Sequence, residues 1–294
     1  MNEKRMGTEI LILLIVLNLV LFGYNSYQSI TKNRVPKERI EQVKELYQKS
    51  GITIKIEPER KNESHPILLL EEANLEQMAE TYLEGIFEKS FIYGSKVEYT
   101  SGERVILTDR KNHSITYVNQ TLADPLWIEQ SESFEEWAEV QRISEESAQL
   151  IVKEKAMEFA CSWLGDDIEL VDTEKKEKGF EYTFHSVQDD AVLYFNELKV
   201  WILNENVVSA EIVYWEVKEE ADKSYIPMPI DEILYAILGS ITADMQEGER
   251  DEVIQIKNGY HMEKIDDQSL AIPSITVLMK SGREYAMNCT AVLK

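Results

Sequence analysis

An apolar stretch near the amino terminus, residues 10–22, constrains this chain more than any other feature of its sequence. It is apolar except for Asn18, and Lys4 and Arg5 precede it. Extended to residues 7–27, it would form a helix about 31 Å long at about 1.5 Å per residue, which matches the hydrocarbon core of a bilayer. The sequence therefore predicts a transmembrane helix followed by a long extramembrane part.

By length alone, the same stretch is also compatible with the hydrophobic region of a cleaved signal peptide. Residues 23–28 contain no small-x-small cleavage site and no cysteine for lipid attachment. Tyr24 and Tyr27 would lie at the outer interface of the bilayer, where amphipathic rings are common. These features favour an uncleaved anchor. We assign residues 1–30 to a short cytoplasmic amino terminus and this anchor.

The charges that flank the predicted span do not by themselves fix its orientation. Lys32 and Arg34 follow the span almost as closely as Lys4 and Arg5 precede it. A long carboxyl-terminal part can cross the membrane largely regardless of its charge. We expect a single-pass protein of the cell membrane with a cytoplasmic amino terminus and an extracytoplasmic bulk.

Asn18 is the residue of the predicted span for which a partner matters most. A side-chain amide in hydrocarbon is costly unless it finds a hydrogen-bonding partner, and such groups often bond across helices. Leu14, Asn18 and Leu21 fall on one helical stripe, and we predict that they contact the transmembrane helix of a partner. Any stripe through a Leu-rich run looks apolar, so only Asn18 supports this prediction.

The rest of the chain has the composition of a packed, acidic protein. It has 294 residues in total, 44% of them hydrophobic, and a formal net charge of −23. The charges within residues 1–30 cancel, so the acidity lies in residues 31–294, and its field argues against nucleic-acid binding. Cys161 and Cys289 are too few for a disulfide framework. We expect two separate buried thiols, with one bridge between them as the alternative.

One pattern of elements recurs in residues 31–294, after a predicted helix at 37–50 and a strand at 52–56. Each instance is a helix followed by three or four strand-like runs, which indicates an α+β fold with a helix packed on each antiparallel sheet. The predicted domains are 31–128, 129–220 and 221–294, and residues 124–141 are predicted to be a linker. The predicted helices lie at 74–87, 144–163 and 230–245. The predicted strands lie at 67–70, 91–99, 104–109, 114–119, 168–171, 180–187, 198–203, 207–217, 253–261, 272–280 and 284–292.

The residues that usually carry catalysis or bind metals form no recognisable pattern here. There is no GxSxG, SxxK, P-loop or GxGxxG motif, and the two cysteines form no CxxC pair. The acidic pairs at 166–167, 189–190 and 266–267 lie in predicted turns and lack the spacing of a calcium loop. We therefore expect no catalytic residue, metal or cofactor, and no enzymatic activity. The histidines are equally scattered, at His65, His113, His185 and His261.

Tyr214 and Trp215 are the most informative aromatic pair. Consecutive residues of a strand point to opposite faces of the sheet, so one of these rings must face away from the helix that covers the sheet. A large ring on that side suggests a domain or partner interface. We predict a protein interface at Tyr214 and Trp215.

Several short motifs resemble the YycI-type regulatory proteins, over nearly the whole length of the chain. They comprise an asparagine inside the span and a first outside helix that runs into a Ser-Gly-Ile-Thr-Ile strand start. Near the end they comprise a helix, a strand carrying Gly-Tyr, a proline-led strand and a closing hairpin. Ser274 departs from the family pattern, in which an aromatic residue often follows the late proline. The matching residues are Leu17-Asn18-Leu19, Ser50-Gly51-Ile52-Thr53-Ile54, residues 229–245, Asn258-Gly259-Tyr260, Ile272-Pro273 and Gly282-Arg283-Glu284-Tyr285.

The resemblance implies PepSY-like outside domains and a membrane-anchored accessory protein without catalytic residues. It also implies the partners, which are the WalK (YycG) sensor histidine kinase of a cell-wall two-component system in Gram-positive bacteria and a sister protein of the YycH type. Together, such proteins bind and modulate the kinase. Two alternatives stay open: a PepSY-like inhibitor or chaperone of a secreted peptidase, and an envelope scaffold without a kinase partner.

Overall fold

The computed structural model describes residues 34–58, 65–221, 226–246 and 248–291. The predicted span, with Leu14, Asn18 and Leu21, lies outside the described residues. Within the described ranges, no helix has both the length and the apolar character needed to cross a membrane. The helices are α1 (Lys37–Lys49), α2 (Leu75–Tyr82), α3 (Pro125–Gln130), α4 (Phe134–Gln141), α5 (Glu145–Leu164) and α6 (Ile230–Asp244).

The strands account for most of the remaining described chain, so the fold is α+β, as predicted. Most neighbouring strands are antiparallel, and β1 with β13 and β13 with β9 are parallel pairs. The strands are β1 (Ile52–Ile54), β2 (Leu68–Glu72), β3 (Glu88–Phe91), β4 (Lys96–Ser101), β5 (Arg104–Asp109), β6 (Ser114–Asn119), β7 (Ile168–Lys175), β8 (Phe180–Gln188), β9 (Ala191–Leu203), β10 (Asn206–Val213), β11 (Trp215–Glu220), β12 (Ile226–Pro227), β13 (Asp251–Ile265), β14 (Gln268–Met279), β15 (Glu284–Asn288) and β16 (Thr290–Ala291).

The chain divides into two compact units, and neither is a continuous segment. The terminal unit comprises Met1–His65, Ser224–Ile256 and Ile275–Lys294, and the central unit comprises Pro66–Lys223 and Lys257–Ser274. Strands β13 and β14 contribute one end to each unit.

These units follow different boundaries from the predicted domains 31–128, 129–220 and 221–294. In the terminal unit, β1 pairs in parallel with the start of β13, about 200 residues later in the chain. In the central unit, β6 pairs with β10, which joins the strands of two predicted domains in one sheet. Local hydrophobic periodicity identifies helices and strands but carries no information about such distant pairings.

The core of the terminal unit lies between its helices and strands. Ile40, Val43 and Tyr47 form the buried face of α1 and belong to the same core as the buried residues of α6. The Tyr47 hydroxyl donates a 2.7 Å hydrogen bond to the backbone oxygen of Leu234 in α6. After α1 the backbone turns at Gly51 with φ of +84°, where a Cβ atom would lie 2.9 Å from a backbone oxygen. A side chain there would therefore clash with backbone as well as strain it.

The central unit is a sheet with helices packed on it. Its strand order is β11-β2-β14-β13-β9-β10-β6-β5-β4-β3, and β7 and β8 continue from β9. Helix α5 begins after the N-cap Ser144, whose side chain accepts from the Ser147 backbone N–H, and it ends at Gly165 with φ of +89°. One face of this helix packs into the main core. The buried residues of α5 are Ala148, Val152, Ala156, Phe159, Ala160, Trp163 and Leu164.

Two predictions about the central unit are wrong. Residues 124–141 are not a linker, because they form α3 and α4, and Phe134 and Trp137 of α4 are buried in the main core. Residues 91–99 are not one strand, because Gly94 adopts φ of +81° and the chain folds back as the hairpin of β3 and β4. In the second case, the turn at Gly94 decided the structure against the apolar periodicity of the run.

Candidate interaction site

The last strand of the central sheet carries an exposed apolar strip. Strand β3 pairs with β4 alone and stands at the end of the strand order. Ile86 precedes β3, Phe91 ends it, and Ile92 and Tyr93 lie in the hairpin turn. The exposed fractions are 81% for Ile86, 79% for Phe91 and 97% for Tyr93. We call Ile86, Phe91, Ile92 and Tyr93 the edge strip.

Phe91 lies on the side of the sheet that elsewhere faces the core. It pairs with Val97, which is buried, and Lys89 on the same side pairs with Tyr99, which is fully buried. No helix of the described chain covers Phe91 as α2 covers the neighbouring strand β4. The apolar face of this sheet therefore continues to the edge without a cover, which is a feature of protein interfaces.

The base of this hairpin is held by charge-assisted hydrogen bonds, so the strip is presented on a fixed support. Glu76 in α2 accepts from Lys89 at 2.8 Å and from the Tyr99 hydroxyl at 3.2 Å, and it also pairs with Arg110. The hydrogen bond from Lys89 lowers the pKa of Glu76, and the same bond raises the pKa of Lys89. At the turn, Ser95 donates a 2.6 Å hydrogen bond to Asp109.

Tyr214 and Trp215 belong to different clusters, and Tyr214 lies between β10 and β11, so the two residues are not consecutive in one strand as predicted. Tyr214 is half-buried against the main core, whereas Trp215 belongs to a second cluster with Phe195 and retains 8% exposure. Asn196 fixes the backbone at Trp215, because its amide accepts from the N–H at 2.7 Å and donates to the oxygen at 3.1 Å. The interface role of this pair stays a prediction. Strand β11 stands at the opposite end of the strand order from β3.

His185 and His261 lie on either side of Tyr194 in the central unit. The Tyr194 ring stacks on His261 with centroids 4.5 Å apart and meets His185 edge-on at 5.3 Å. Burial lowers the pKa of both histidines. Within the part of the chain that the structure describes, no three histidine, cysteine or acidic side chains are grouped as metal ligands. Burial therefore favours the neutral form of both imidazole rings.

The cysteines and the acidic pairs occupy structural positions. Cys161 and Cys289 are free thiols, and burial raises the pKa of Cys289 to about 12. The acidic pairs at 189–190 and 266–267 have positive φ at both residues, which is the geometry of a tight hairpin turn. Asp166 and Asp167 lie in the connection between α5 and β7.

Sequence reasoning missed the edge strip, although a signal for it is present. The run Phe91-Ile92-Tyr93 is followed directly by Gly94 and Ser95, and such a pair ends a strand more often than it continues one. Three large apolar residues next to a turn cannot all be buried by one sheet face, because alternate residues of a strand point to opposite sides. Gly94 was therefore the residue that indicated a turn after the apolar run.

No family model matches this sequence, and no curated protein matches it significantly. Among solved structures, an uncharacterized protein from Eubacterium rectale ATCC 33656 is similar at 12% identity and a TM-score of 0.43, covering 82% of this chain and 86% of its own. The Bacillus megaterium YpeB C-terminal domain is similar at 12% identity and a TM-score of 0.37, covering 76% of this chain and 94% of its own. Likenesses this distant carry no information about what the chain does.

Proposed function

We propose that this chain is a YycI-type accessory protein with PepSY-like domains, anchored in the cell membrane, that binds other proteins of the envelope. Its partners are a WalK-like sensor histidine kinase and a YycH-like sister protein, and its function is to modulate the kinase with that sister protein. The edge strip is the observation that carries the binding function. The short motifs that resemble the family supply the identity of the partners.

The edge strip fits an extended segment of a partner. Strand β3 has a neighbour on one side only, so the outward N–H and C=O groups of Glu88–Phe91 are free of strand pairing within the described chain. A partner strand added there would gain main-chain hydrogen bonds, and Phe91 and Tyr93 would supply apolar contacts. Aromatic side chains in such positions often dominate binding energies. The occupant that we propose is a strand in the outside part of the kinase or the sister protein.

The anchor would add a second contact to the same assembly. In the predicted span, Asn18 would bond to a neighbouring transmembrane helix, with Leu14 and Leu21 packed beside it. Two contacts on one tethered chain raise the effective concentration of each, so weak individual contacts suffice. The proposal therefore predicts that losing either contact weakens the assembly and that losing both has a larger effect.

Co-purification of the full-length chain from membranes with the kinase and the sister protein tests this proposal. Replacing Phe91 and Tyr93 together by serine should reduce recovery of a partner about tenfold, since tenfold corresponds to about 1.4 kcal/mol and aromatic hot spots contribute at least that much. Replacing Asn18 by leucine should reduce it several-fold, while Leu13→Ile should not. The matched control replaces Leu126 and Val140, which are exposed on α3 and α4 of the central unit, by serine.

The outcomes separate the two parts of the proposal. If the Phe91 and Tyr93 variant recovers as much partner as the Leu126 and Val140 control, the edge strip is not the binding surface. If the unaltered chain recovers neither kinase nor sister protein, the assigned partners are wrong. The phosphorylation level of the response regulator, measured in the same cells, reports whether the binding modulates the kinase.

A further inference from the structure

A cleft of about 630 Å³ opens in the central unit between α2 and α5. One face of α2 forms a side of it, because residues 74, 78, 81 and 82 recur at helical spacing. Arg104 enters from β5, on the same side of the sheet as the buried Ile106. Glu84, Trp163 and Glu216 complete the parts of the lining that matter for binding.

The apolar wall of this α2–α5 cleft is aromatic. Tyr82 stacks on Trp163 with ring centroids 4.5 Å apart and planes inclined by 20°. Tyr82 also contacts Tyr117 and Phe159 edge-on, with ring centroids 5.9 Å apart in each pair. The aromatic wall is therefore packed against the main core. The Trp163 indole N–H is buried with no acceptor in the described chain. A buried donor without an acceptor is destabilising unless water or a ligand supplies one.

Arg104 forms no ion pair with a described residue. By contrast, Lys89 and Arg110 of the same unit both pair with Glu76. Its charge opposes the effect of burial on the hydroxyls of Tyr82 and Tyr117, and burial still raises the pKa of Tyr82 to about 12. Arg104 therefore lies beside the aromatic wall with its hydrogen-bond donors available.

The cleft also holds anionic groups at other points of its lining. Glu84 adopts φ of +53° in the turn after α2, and Glu216 comes from β11. Neither forms an ion pair with a described residue. One cleft thus combines a guanidinium, two carboxylates, an aromatic wall and the side-chain amides of Asn74 and Gln77.

From this combination we infer that the α2–α5 cleft binds a zwitterionic ligand, namely an amino acid or short peptide with an apolar, aromatic side chain. The carboxylate of the ligand would accept a paired hydrogen bond from Arg104, whose planar guanidinium matches carboxylate geometry. Its ammonium group would be attracted by Glu84 and Glu216. Its side chain would contact Met78, Tyr82 and Trp163. A purely anionic ligand would be repelled by the two carboxylates.

Titration of the purified full-length chain with the dipeptide Phe-Phe tests this site, with heat of binding as the readout. Two analogues of Phe-Phe test the charges. Amidation of the carboxyl end removes the carboxylate that Arg104 would bind. Acetylation of the amino end removes the ammonium group that Glu84 and Glu216 would attract. We expect each analogue to bind at least about tenfold more weakly, because a hydrogen bond between charged groups contributes about 1.5–3 kcal/mol.

Substitutions in the cleft distinguish recognition of the ligand's charges from nonspecific apolar binding. Arg104→Gln should weaken binding of Phe-Phe about tenfold and should remove the difference between Phe-Phe and its amide. Glu216→Gln should reduce the difference between Phe-Phe and its acetylated form. Arg250→Gln, the same change in the terminal unit, should alter nothing. The indole N–H signal of Trp163, identified by its loss in Trp163→Phe, should shift on binding.

Three results would each overturn the inference. One is the absence of binding heat at millimolar Phe-Phe, and another is equal affinity for Phe-Phe and its amide. The third is an Arg104→Gln variant that binds like the unaltered chain. Thermal unfolding of each variant shows whether a loss of binding comes from a loss of fold. Because no partner protein is present in this titration, its result does not depend on the proposed function.

Discussion

Glu76 connects α2 to the β3 end of the sheet in the central unit. Its carboxylate receives bonds from Lys89, Tyr99 and Arg110, which come from β3, β4 and the connection after β5. The side chain is only 16% exposed, so these donors replace most of its contact with water. One carboxylate thereby ties α2 to the hairpin that carries the edge strip.

Replacing Glu76 by glutamine should destabilise the chain by about 1 kcal/mol at neutral pH, since it removes the charge from partly exposed pairs. The pKa of Glu76 is lower in the folded chain than its ordinary value of 4.5, chiefly because Lys89 donates to it. The stabilisation is therefore complete above pH 4.5 and is lost as the pH falls through the lower folded value. The free energies of unfolding of the variant and the unaltered chain, measured by urea unfolding, should differ less in acid than at pH 7.

Glu88→Gln is the control for that measurement. Glu88 lies on β3 beside Lys89 but forms no ion pair with a described residue, so this variant should match the unaltered chain at both pH values. If Glu76→Gln and the unaltered chain differed in free energy of unfolding by the same amount in acid as at pH 7, the charge of the Glu76 carboxylate would contribute nothing to stability.

Helix α4 shows how a short element can be held by its own first turn. The Ser133 hydroxyl accepts from the Glu136 backbone N–H at 3.2 Å, and the Glu136 carboxylate accepts from the Ser133 N–H at 2.9 Å. This capping box satisfies donors that a helix start otherwise leaves unpaired. It positions Phe134 and Trp137 in the main core, where Phe134 meets Phe180 edge-on at 4.9 Å.

We expect Ser133→Ala to lower the free energy of unfolding by about 1 kcal/mol, because the N-cap acceptor is lost. Glu136→Gln keeps an acceptor within reach of the Ser133 N–H, and it should cost clearly less. Chemical denaturation of both variants measures the difference. Equal losses in the two variants would mean that the charge of Glu136 contributes as much to α4 as the Ser133 cap does.

The sequence was sufficient to predict individual helices and strands where the local signals agreed. Strands β5 and β6 have the predicted bounds, and α5 (Glu145–Leu164) differs from its predicted range 144–163 by one residue at each end. It was insufficient at α4, where acidic and polar residues around Ser133 hid a helix whose buried face is only Phe134, Trp137 and Ala138. The edge strip was hidden for a related reason, because apolar residues signal a strand whether they end up covered or exposed.

At the scale of the whole molecule, the predicted anchor is the feature with the clearest test. Since residues 10–22 are apolar and no cleavage site follows, the full-length chain should fractionate with membranes at its uncleaved mass. Protease added from outside should digest the chain beyond about residue 35. A mature protein that begins between residues 23 and 31 would contradict the anchor.

The terminal unit also has a consequence for biosynthesis. Ile52 finds its strand partner, Asp251, only about 200 residues later in the chain. At a synthesis rate of roughly 5–20 residues per second, the first part of this unit waits about 10–40 s for the rest. Most of the central unit is made during that interval. A ribosome that stalls before α6 and β13 are made would therefore leave α1 with Ile40, Val43 and Tyr47 uncovered, as a target for chaperones and quality-control proteases.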